Sequence, residues 1–437
     1  LIGCFTECWL ILKENFFIED LEANTKTSKR GFESGQVTPL DLSVWDTNHD
    51  NFCLRADKIP IYIKIDTANK ILFIGQSVLL LRNKYFNPKG MSYFDELSLM
   101  KKNFESAIQL SDESDYYSFL PFEEVIVKMS TTVSEKLYMI VVDDGKLMSE
   151  LYKLKDIYLL GRGELFWTFL KKADPLLCNR VTPSDVLHNE LTSMLHLACQ
   201  QVFMEESFYD NMAVSLVAND TDDKSGWSQL KFTFPITPPL QILFSESVID
   251  KYNSVMCFLM EVRRSHMAVL ESWRYLLKRR PLQRNCNYQL WQLVDHMIFI
   301  INNLQQYFMA DVLEVHSSDL FSNALSTGNF EKIRSSHEVF LNNIQAEVFL
   351  LNKIMISRLR GILSVCNYVA NEVTDKDPKL LDLKDCKQKF YQELALFFRI
   401  LYQHRASESR ITFNQLTMRL DFNKYFTKHT AVTKAIK

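Results

Sequence analysis

The sequence predicts a mainly all-α protein, an elongated rod of long antiparallel helical bundles with a small β-hairpin near residues 213–234. Three observations predict this fold class. Apolar residues recur at three- and four-residue spacing over long stretches, which is the period of one helix face. Only 11 Gly and 11 Pro occur among 437 residues, so few positions favour a tight turn. Period-two alternation is confined to the hairpin region.

The first 170 residues contain a polar segment followed by helical patterns. Residues 19–51 lack a hydrophobic period, so we expect a surface loop there. Helices are predicted at residues 62–81, 94–108 and 133–170, with connections at residues 112–115 and 143–146. Gly161 and Gly163 interrupt the last pattern. A helical glycine costs about 1 kcal/mol relative to alanine, so we expect this pair to allow close packing or a kink. A domain boundary is predicted near residue 150.

The hairpin is predicted from two alternating segments at residues 213–218 and 229–234. Turn formers fill residues 219–226 between them, and three prolines then exclude a helix before Ser245. After Ser245 the apolar 3-4 spacing returns and continues until Pro281. A helix of roughly 30 residues is about 45 Å long. Further helices are predicted at residues 290–315, 330–373, 380–402 and 413–422.

Composition excludes several classes of protein. The net charge of -3, with both signs interspersed, gives no basic field for nucleic acid. Nine cysteines without a C-x-x-C pair favour reduced thiols over a disulfide framework. No stretch of about 18 uncharged apolar residues occurs, so we expect no membrane insertion.

The sequence predicts no catalytic, metal-binding or cofactor-binding residue. Gly161 and Gly163 lack the third glycine and the preceding strand of a dinucleotide-binding loop. His188 and His196 have no acidic partner at metal-ligand spacing, and His266 and His337 lie on helical stripes where a packing role is expected. An isoprenoid synthase would need an aspartate-rich helix, and the only candidate, residues 219–223, falls in a predicted turn.

Short segments in a fixed order carry a family resemblance. They are YLLGRGELF at residues 158–166, an aromatic and proline stretch at 227–239, NLQQYFMADVLE at 303–314 and MRLDFNKYF at 418–426. In this order and spacing they resemble the gamma-tubulin complex component family. Three more segments, at residues 54–63, 70–78 and 326–334, are similar to one member of that family. The resemblance covers about residues 16–426, with departures in the loop after Phe17 and in a shorter insertion before Trp227.

The resemblance implies a scaffold whose function is geometric. Residues 1–150 would be the later part of an amino-terminal lateral-assembly domain that packs against other gamma-tubulin complex components, with the start of that domain missing. Residues 151–437 would bind gamma-tubulin. The assembled complex would template microtubules at the minus end, in the cytoplasm and cytoskeleton, at the centrosome or another microtubule organizing center and at the spindle pole. GTP would belong to tubulin, so no cofactor is implied.

Exposed Arg and Tyr side chains often anchor interfaces, which suggests where the gamma-tubulin contacts lie. Within residues 151–437 we expect these contacts at Arg263, Arg264, Arg419, Asn423, Lys424 and Tyr425. A helix face and a helix end are also normal places for cations, so a purely structural role stays open for the arginines.

Two other functions fit a helical chain. A helical-rod subunit of a vesicle-tethering complex would show similar long helices and little glycine, but it has no reason to contain the ordered segments. An all-helical isoprenoid synthase would require a deep pocket with converging carboxylates.

Overall fold

The computed structural model describes residues 18–20, 52–54, 59, 63–82, 120–177, 184–204, 209, 212–217, 226–236, 238–279, 288–326, 328–375, 383–407 and 411–424. The predicted class is confirmed, because these residues are mainly α-helical and include a small antiparallel hairpin. They divide into two compact units. The first unit takes the chain up to Met148 together with Ile236–Ser245 and Leu325–Arg334, and the second takes the remainder.

The first unit begins with a short two-stranded ladder. Strand β1 (Ile18–Asp20) pairs antiparallel with β2 (Phe52–Leu54), with Ile18 opposite Leu54. The predicted loop at residues 19–51 was therefore wrong at its first two residues, which belong to a strand. Residues 21–51 lie outside the described part, as do the helix predicted at 94–108 and the connection predicted at 112–115.

Helices α1 (Ile65–Arg82) and α2 (Leu120–Tyr138) form the helical body of the first unit. A π-helix at Met139–Asp144 continues α2. Phe73 of α1 stacks on Phe330 at 6.5 Å between ring centroids. On α2, Ser134 Oγ donates to Asn329 Oδ1 at 2.8 Å and accepts from the Glu331 amide at 3.2 Å. These contacts attach Leu325–Arg334 to helices that precede it by about two hundred residues.

The helix predicted over residues 133–170 is broken twice, so that prediction was wrong in extent. The first break, at Gly145 and Lys146, is the predicted connection, and α3 (Leu147–Tyr158) follows it. The second break contains Leu160, whose φ of 54° ends the helix, and α4 (Gly163–Leu177) begins after it. A Cβ on Gly161 would lie 2.8 Å from Asp156 Oδ1 and 3.0 Å from Asp156 Cα, so close packing requires this glycine.

The predicted hairpin is confirmed in the second unit. Helix α5 (Asp185–Gln201), β3 (Ala213–Leu216) and β4 (Leu230–Thr233) follow α4, and β3 pairs antiparallel with β4. The Phe232 amide donates to Asn253 Oδ1 at 2.8 Å. Phe232 O accepts from Asn253 Nδ2 at 3.1 Å and from the Tyr158 hydroxyl at 3.0 Å. The side chains of Tyr158 on α3 and of Asn253 on the long helix that follows the hairpin therefore hold β4 in place.

Long helices complete the chain, and α6 (Glu246–Arg279) is the long helix predicted after Ser245. It packs on α7 and α10, and α10 packs on α11. The π-helix at Tyr307–Glu314 separates α7 from α8, a feature that the apolar pattern does not distinguish from α-helix. The remaining bounds are α7 (Tyr288–Gln306), α8 (Val315–Ser326), α9 (Phe330–Glu347), α10 (Lys353–Asp375), α11 (Leu383–Ser407) and α12 (Ile411–Leu420).

The helix predicted over residues 330–373 is interrupted, so that prediction was also wrong in extent. Phe349 has a φ of 68°, and the Leu350 amide donates to Gln345 O at 2.9 Å, which ends α9 in a Schellman-type turn. Asn352 Oδ1 then accepts from the amides of Ile354 and Met355 at the start of α10. Phe349 itself is buried, and it stacks on Phe413 at 5.5 Å. The turn therefore packs against α12.

A buried polar pair lies in the core of the second unit. The Tyr252 hydroxyl and His337 Nε2 are 2.9 Å apart, and both residues are buried. Burial lowers the pKa of His337 to about 3. The imidazole is therefore neutral near neutral pH, which agrees with the packing role expected from its position on the helical stripe.

Candidate protein interface

The described residues hold no group of three or more His, Cys, Asp or Glu side chains arranged to bind a metal ion. A search of the described helices for one long and apolar enough to cross a membrane found none. The acidic segment at residues 219–223 lies outside the described part. The described residues among the predicted contacts all lie in the second unit.

Arg263 lies on α6 and is half-buried. Its guanidinium is 5.4 Å from the centroid of the Trp167 ring on α4, a cation–π distance. Burial lowers the pKa of Arg263, although an arginine remains charged at any physiological pH. Its side chain also lines a cavity between α4, α6, α7 and the second π-helix.

Arg264, the next residue on α6, has a different environment. Its Nε donates to Asp174 Oδ1 of α4 at 2.6 Å, and its guanidinium is 5.7 Å from the Trp227 ring. The side chain of Arg264 is only 19% exposed. Arg264 therefore joins α6 to α4 and to the segment that leads into the hairpin.

Arg419 is also held within the second unit. Its Nε donates to Asp311 Oδ2 at 2.7 Å and its Nη2 to Asp311 Oδ1 at 2.8 Å. These hydrogen bonds raise the pKa of Arg419. Bidentate pairing fixes the plane of the guanidinium, so α12 is docked in one orientation on the π-helix that carries Asp311. On the other side of α12, the Tyr402 hydroxyl donates to Asp421 Oδ2 at 3.1 Å.

Among the described residues, the three that follow Asp421 are exposed. Asn423 and Lys424 both face solvent, and Lys424 has a φ of 55°. Phe422 is 71% exposed and Met418 is 70% exposed. We call these four residues the α12 surface. Tyr425, the last of the predicted contacts, lies outside the described residues.

Pattern reasoning missed the apolar members of this surface. Met418 lies on α12 and Phe422 follows its end, and the prediction singled out the polar residues of this segment instead. Leu351 and Ile354, each 64% exposed, were likewise missed because they were placed on a continuous helix. Leu351 belongs to the turn at Phe349 and Ile354 follows it. This turn packs on α12 through Phe413. The sequence did contain a signal for Phe422, because this apolar residue is the last one of the helix predicted over residues 413–422.

Comparison with known proteins identifies relatives over most of the chain. Residues 147–426 match the family model for the gamma tubulin complex component C-terminal domain, and residues 11–144 match the corresponding N-terminal model. Gamma-tubulin complex component 4 of Homo sapiens is 32% identical over 403 residues, covering 86% of this chain. The Arabidopsis thaliana component 4 is 23% identical over 475 residues, covering 89% of this chain. Component 3 homolog of Xenopus laevis is 23% identical over 328 residues, covering 72% of this chain and 35% of the relative.

The chain is shorter than these relatives. It spans 60% of the human component 4 and 63% of the Arabidopsis thaliana protein. The segments at residues 54–63, 70–78 and 326–334, similar to one family member by sequence, agree with the component 4 matches.

Proposed function

We infer that the chain, which belongs to the gamma-tubulin complex component family, is a non-catalytic scaffold subunit of a gamma-tubulin ring complex. Residues 151–437 bind gamma-tubulin, and residues 1–150 pack laterally against sister components. The observation that carries the proposal is that the two family models together match residues 11–144 and 147–426. A vesicle-tethering subunit or an isoprenoid synthase has no reason to match either model.

The scaffold role has a physical basis in the second unit. Helices α6, α10 and α11 have 34, 23 and 25 residues, and α10 packs on both α6 and α11. Helices of this length, buried along one stripe, resist bending and hold a bound partner at a fixed position. By the same proposal the subunit acts at the microtubule minus end, within the cytoskeleton at the centrosome and the spindle pole.

We place a main gamma-tubulin contact on the α12 surface. Its two apolar side chains are exposed beside a cation and an amide, a combination common in protein interfaces. Arg419 supports this surface through Asp311, and Tyr425 would extend it. Arg263 and Arg264 form a second proposed contact region on α6, in which Arg264 is already committed to Asp174.

The test is a pull-down of purified gamma-tubulin by the complete chain. A fragment starting at residue 151 would be unsuitable, because Ile236–Ser245 and Leu325–Arg334 belong to the first unit. We expect the double variant Met418→Ser, Phe422→Ser to bind about tenfold or more weakly, as loss of interface anchors does. Val186 and Leu197 of α5, 76% and 48% exposed, supply a matched control when both are changed to Ser.

Equal binding by the folded double variant and the control would exclude the α12 surface as the contact. Absence of binding by the folded wild-type chain would overturn the proposed function itself. Lateral packing is tested separately, by sedimentation of the chain mixed with a sister component. Formation of a larger species without gamma-tubulin supports the proposed role of residues 1–150.

A further inference from the structure

A partly open cavity of about 70 Å³ lies in the second unit where α4, α6, α7 and the second π-helix meet. Its walls are mostly apolar and include Phe166, Leu259, Phe308 and Met309, with Arg263 and Gln305 as the polar lining residues. This volume exceeds the space that one water needs, so the end of a side chain can enter.

Gly163 lines the cavity, and a Cβ built on it would meet no atom within 4 Å. Close packing therefore explains Gly161 but not Gly163. The first carbon of a larger side chain at this lining position would therefore clash with no other group.

Two cations meet at the Trp167 ring beside this cavity. Arg263 is 5.4 Å from the ring centroid, and Lys171 Nζ is 5.2 Å from it. Within the part of the chain that the structure describes, neither cation has a carboxylate partner, whereas the neighbouring Arg264 has Asp174. Two like charges held near one ring, one of them half-buried, leave an uncompensated positive potential.

From this cavity and this pair of cations we propose a binding site for an acidic peptide segment of a protein partner. The aliphatic stem of a glutamate enters the apolar cavity, and its carboxylate accepts hydrogen bonds from Arg263. A second acidic side chain of the same segment reaches Lys171 over the Trp167 ring. The ring and the cavity exclude water from the Arg263 pair, which strengthens a charge-assisted hydrogen bond relative to one in bulk water.

Charge complementarity determines the kind of occupant. Two carboxylates already have partners within the protein. Asp174 of α4, close to these cations, forms an ion pair with Arg264, and Asp156 forms one with Arg162 at 3.2 Å. His266, one turn along α6 from Arg263, has its pKa lowered by burial and by Arg263, so its ring is neutral near pH 7 and adds no charge to the site. A basic or apolar segment would leave the two cations uncompensated.

This site gives Arg263 a specific role within the proposed function, the binding of a carboxylate. It rests on the proposed function only for the identity of the partner. An acidic segment of gamma-tubulin is the occupant that joins the two proposals. The site itself can be tested without gamma-tubulin, so the two proposals can fail separately.

The direct test measures binding of a labelled hexaglutamate peptide to the complete chain by fluorescence anisotropy at low salt. Hexaglutamine is the neutral control, and free glutamate and inorganic phosphate are competitors. We expect hexaglutamate to bind, hexaglutamine not to bind, and affinity to fall as salt is raised. Displacement by millimolar phosphate or free glutamate would show a simple anion site and would overturn the assignment to a peptide.

Charge variants locate the site. We expect Arg263→Gln and Lys171→Gln each to weaken hexaglutamate binding, by about tenfold for Arg263 and less for the exposed lysine. Arg274→Gln on the same helix and Lys172→Gln next to Lys171 remove the same charges elsewhere and should leave binding unchanged. Equal losses in all four variants would indicate attraction by overall charge and would overturn the proposal.

Filling the cavity gives an independent variant. Gly163→Leu keeps both cations, and we expect it to weaken hexaglutamate binding while Gly163→Ala has little effect. Full binding by the folded leucine variant would show that the cavity takes no part, against the proposal. If gamma-tubulin binds wild type and Arg263→Gln equally, the site does not serve gamma-tubulin. If the peptide site passes every test while gamma-tubulin does not bind the wild-type chain, only the proposed function fails.

Discussion

Arg419 of α12 donates two parallel hydrogen bonds to Asp311 of a π-helix 108 residues earlier, at 2.7 and 2.8 Å. This pair lies next to the exposed Met418, and it determines which side of α12 faces solvent. The π-helix supplies the acceptor at the required place. The proposed contact surface at α12 thus depends on a backbone irregularity far from it in sequence.

We expect Asp311→Asn to loosen α12 without unfolding the second unit. The pair is partly exposed, so its contribution to stability is about 1 kcal/mol. Hydrogen exchange should quicken at the amides of residues 411–420, and gamma-tubulin binding should weaken. In a double-mutant cycle with Arg419→Gln, we expect a coupling energy of about 1 kcal/mol. Additive effects of the two changes would show that the bidentate pair does not hold the helix.

The buried His337 predicts loss of stability in acid. Its folded pKa of about 3 lies below the unfolded value of about 6.5. Below about pH 6.5 the unfolded chain therefore binds more protons, and the free energy of unfolding falls by up to about 1.4 kcal/mol per pH unit from this group.

Urea denaturation at pH 7, 6 and 5 measures this slope. The variant His337→Asn should be less stable at pH 7 and should lose less stability between pH 7 and 5. An unchanged slope would mean that other groups, including His266 and His296 with their lowered pKa values, account for the whole acid effect.

The two glycines after α3 provide a matched pair of substitutions. We expect Gly161→Ala to destabilise the protein by about 1–3 kcal/mol, because the added methyl would lie 2.8–3.0 Å from atoms of Asp156. Gly163→Ala should be neutral or stabilising by up to about 1 kcal/mol, since its Cβ meets nothing and alanine restricts the unfolded chain. Thermal unfolding of both variants distinguishes the two glycines. Equal losses of stability in the two variants would contradict a packing role for Gly161 alone.

The hairpin should depend on one asparagine. Asn253→Ala leaves the Phe232 amide, which is buried, without its acceptor, and we expect a cost of about 1–3 kcal/mol in the free energy of unfolding. Asn189→Ala on the exposed face of α5 is the control. Circular dichroism should show unchanged helix content in both variants. A cost no larger than that of the control would mean that another group replaces the amide.

Sequence periodicity predicted the helix that begins after Ser245 and the hairpin. It also predicted continuous helices across two places where the structure has a break. Leu160 and Phe349 end helices in a left-handed conformation that favours glycine, yet each is an apolar residue inside a predicted helix. Both are buried, and Phe349 stacks on Phe413. Packing therefore offsets the backbone cost of a break, and a periodicity argument contains no information about packing partners that are distant in sequence.

The amino-acid sequence by itself determined the helical class, the hairpin and the family, because periodicity and ordered motifs depend on neighbours along the chain. Only the tertiary structure decided what each candidate side chain can do. Arg263 and Arg264 are adjacent and chemically identical, yet Asp174, 90 residues away, pairs with Arg264, while Arg263 faces a cavity. Whether a charged side chain is available to a partner protein depends on which groups lie beside it in space. The packing of α4 against α6 determines those neighbours.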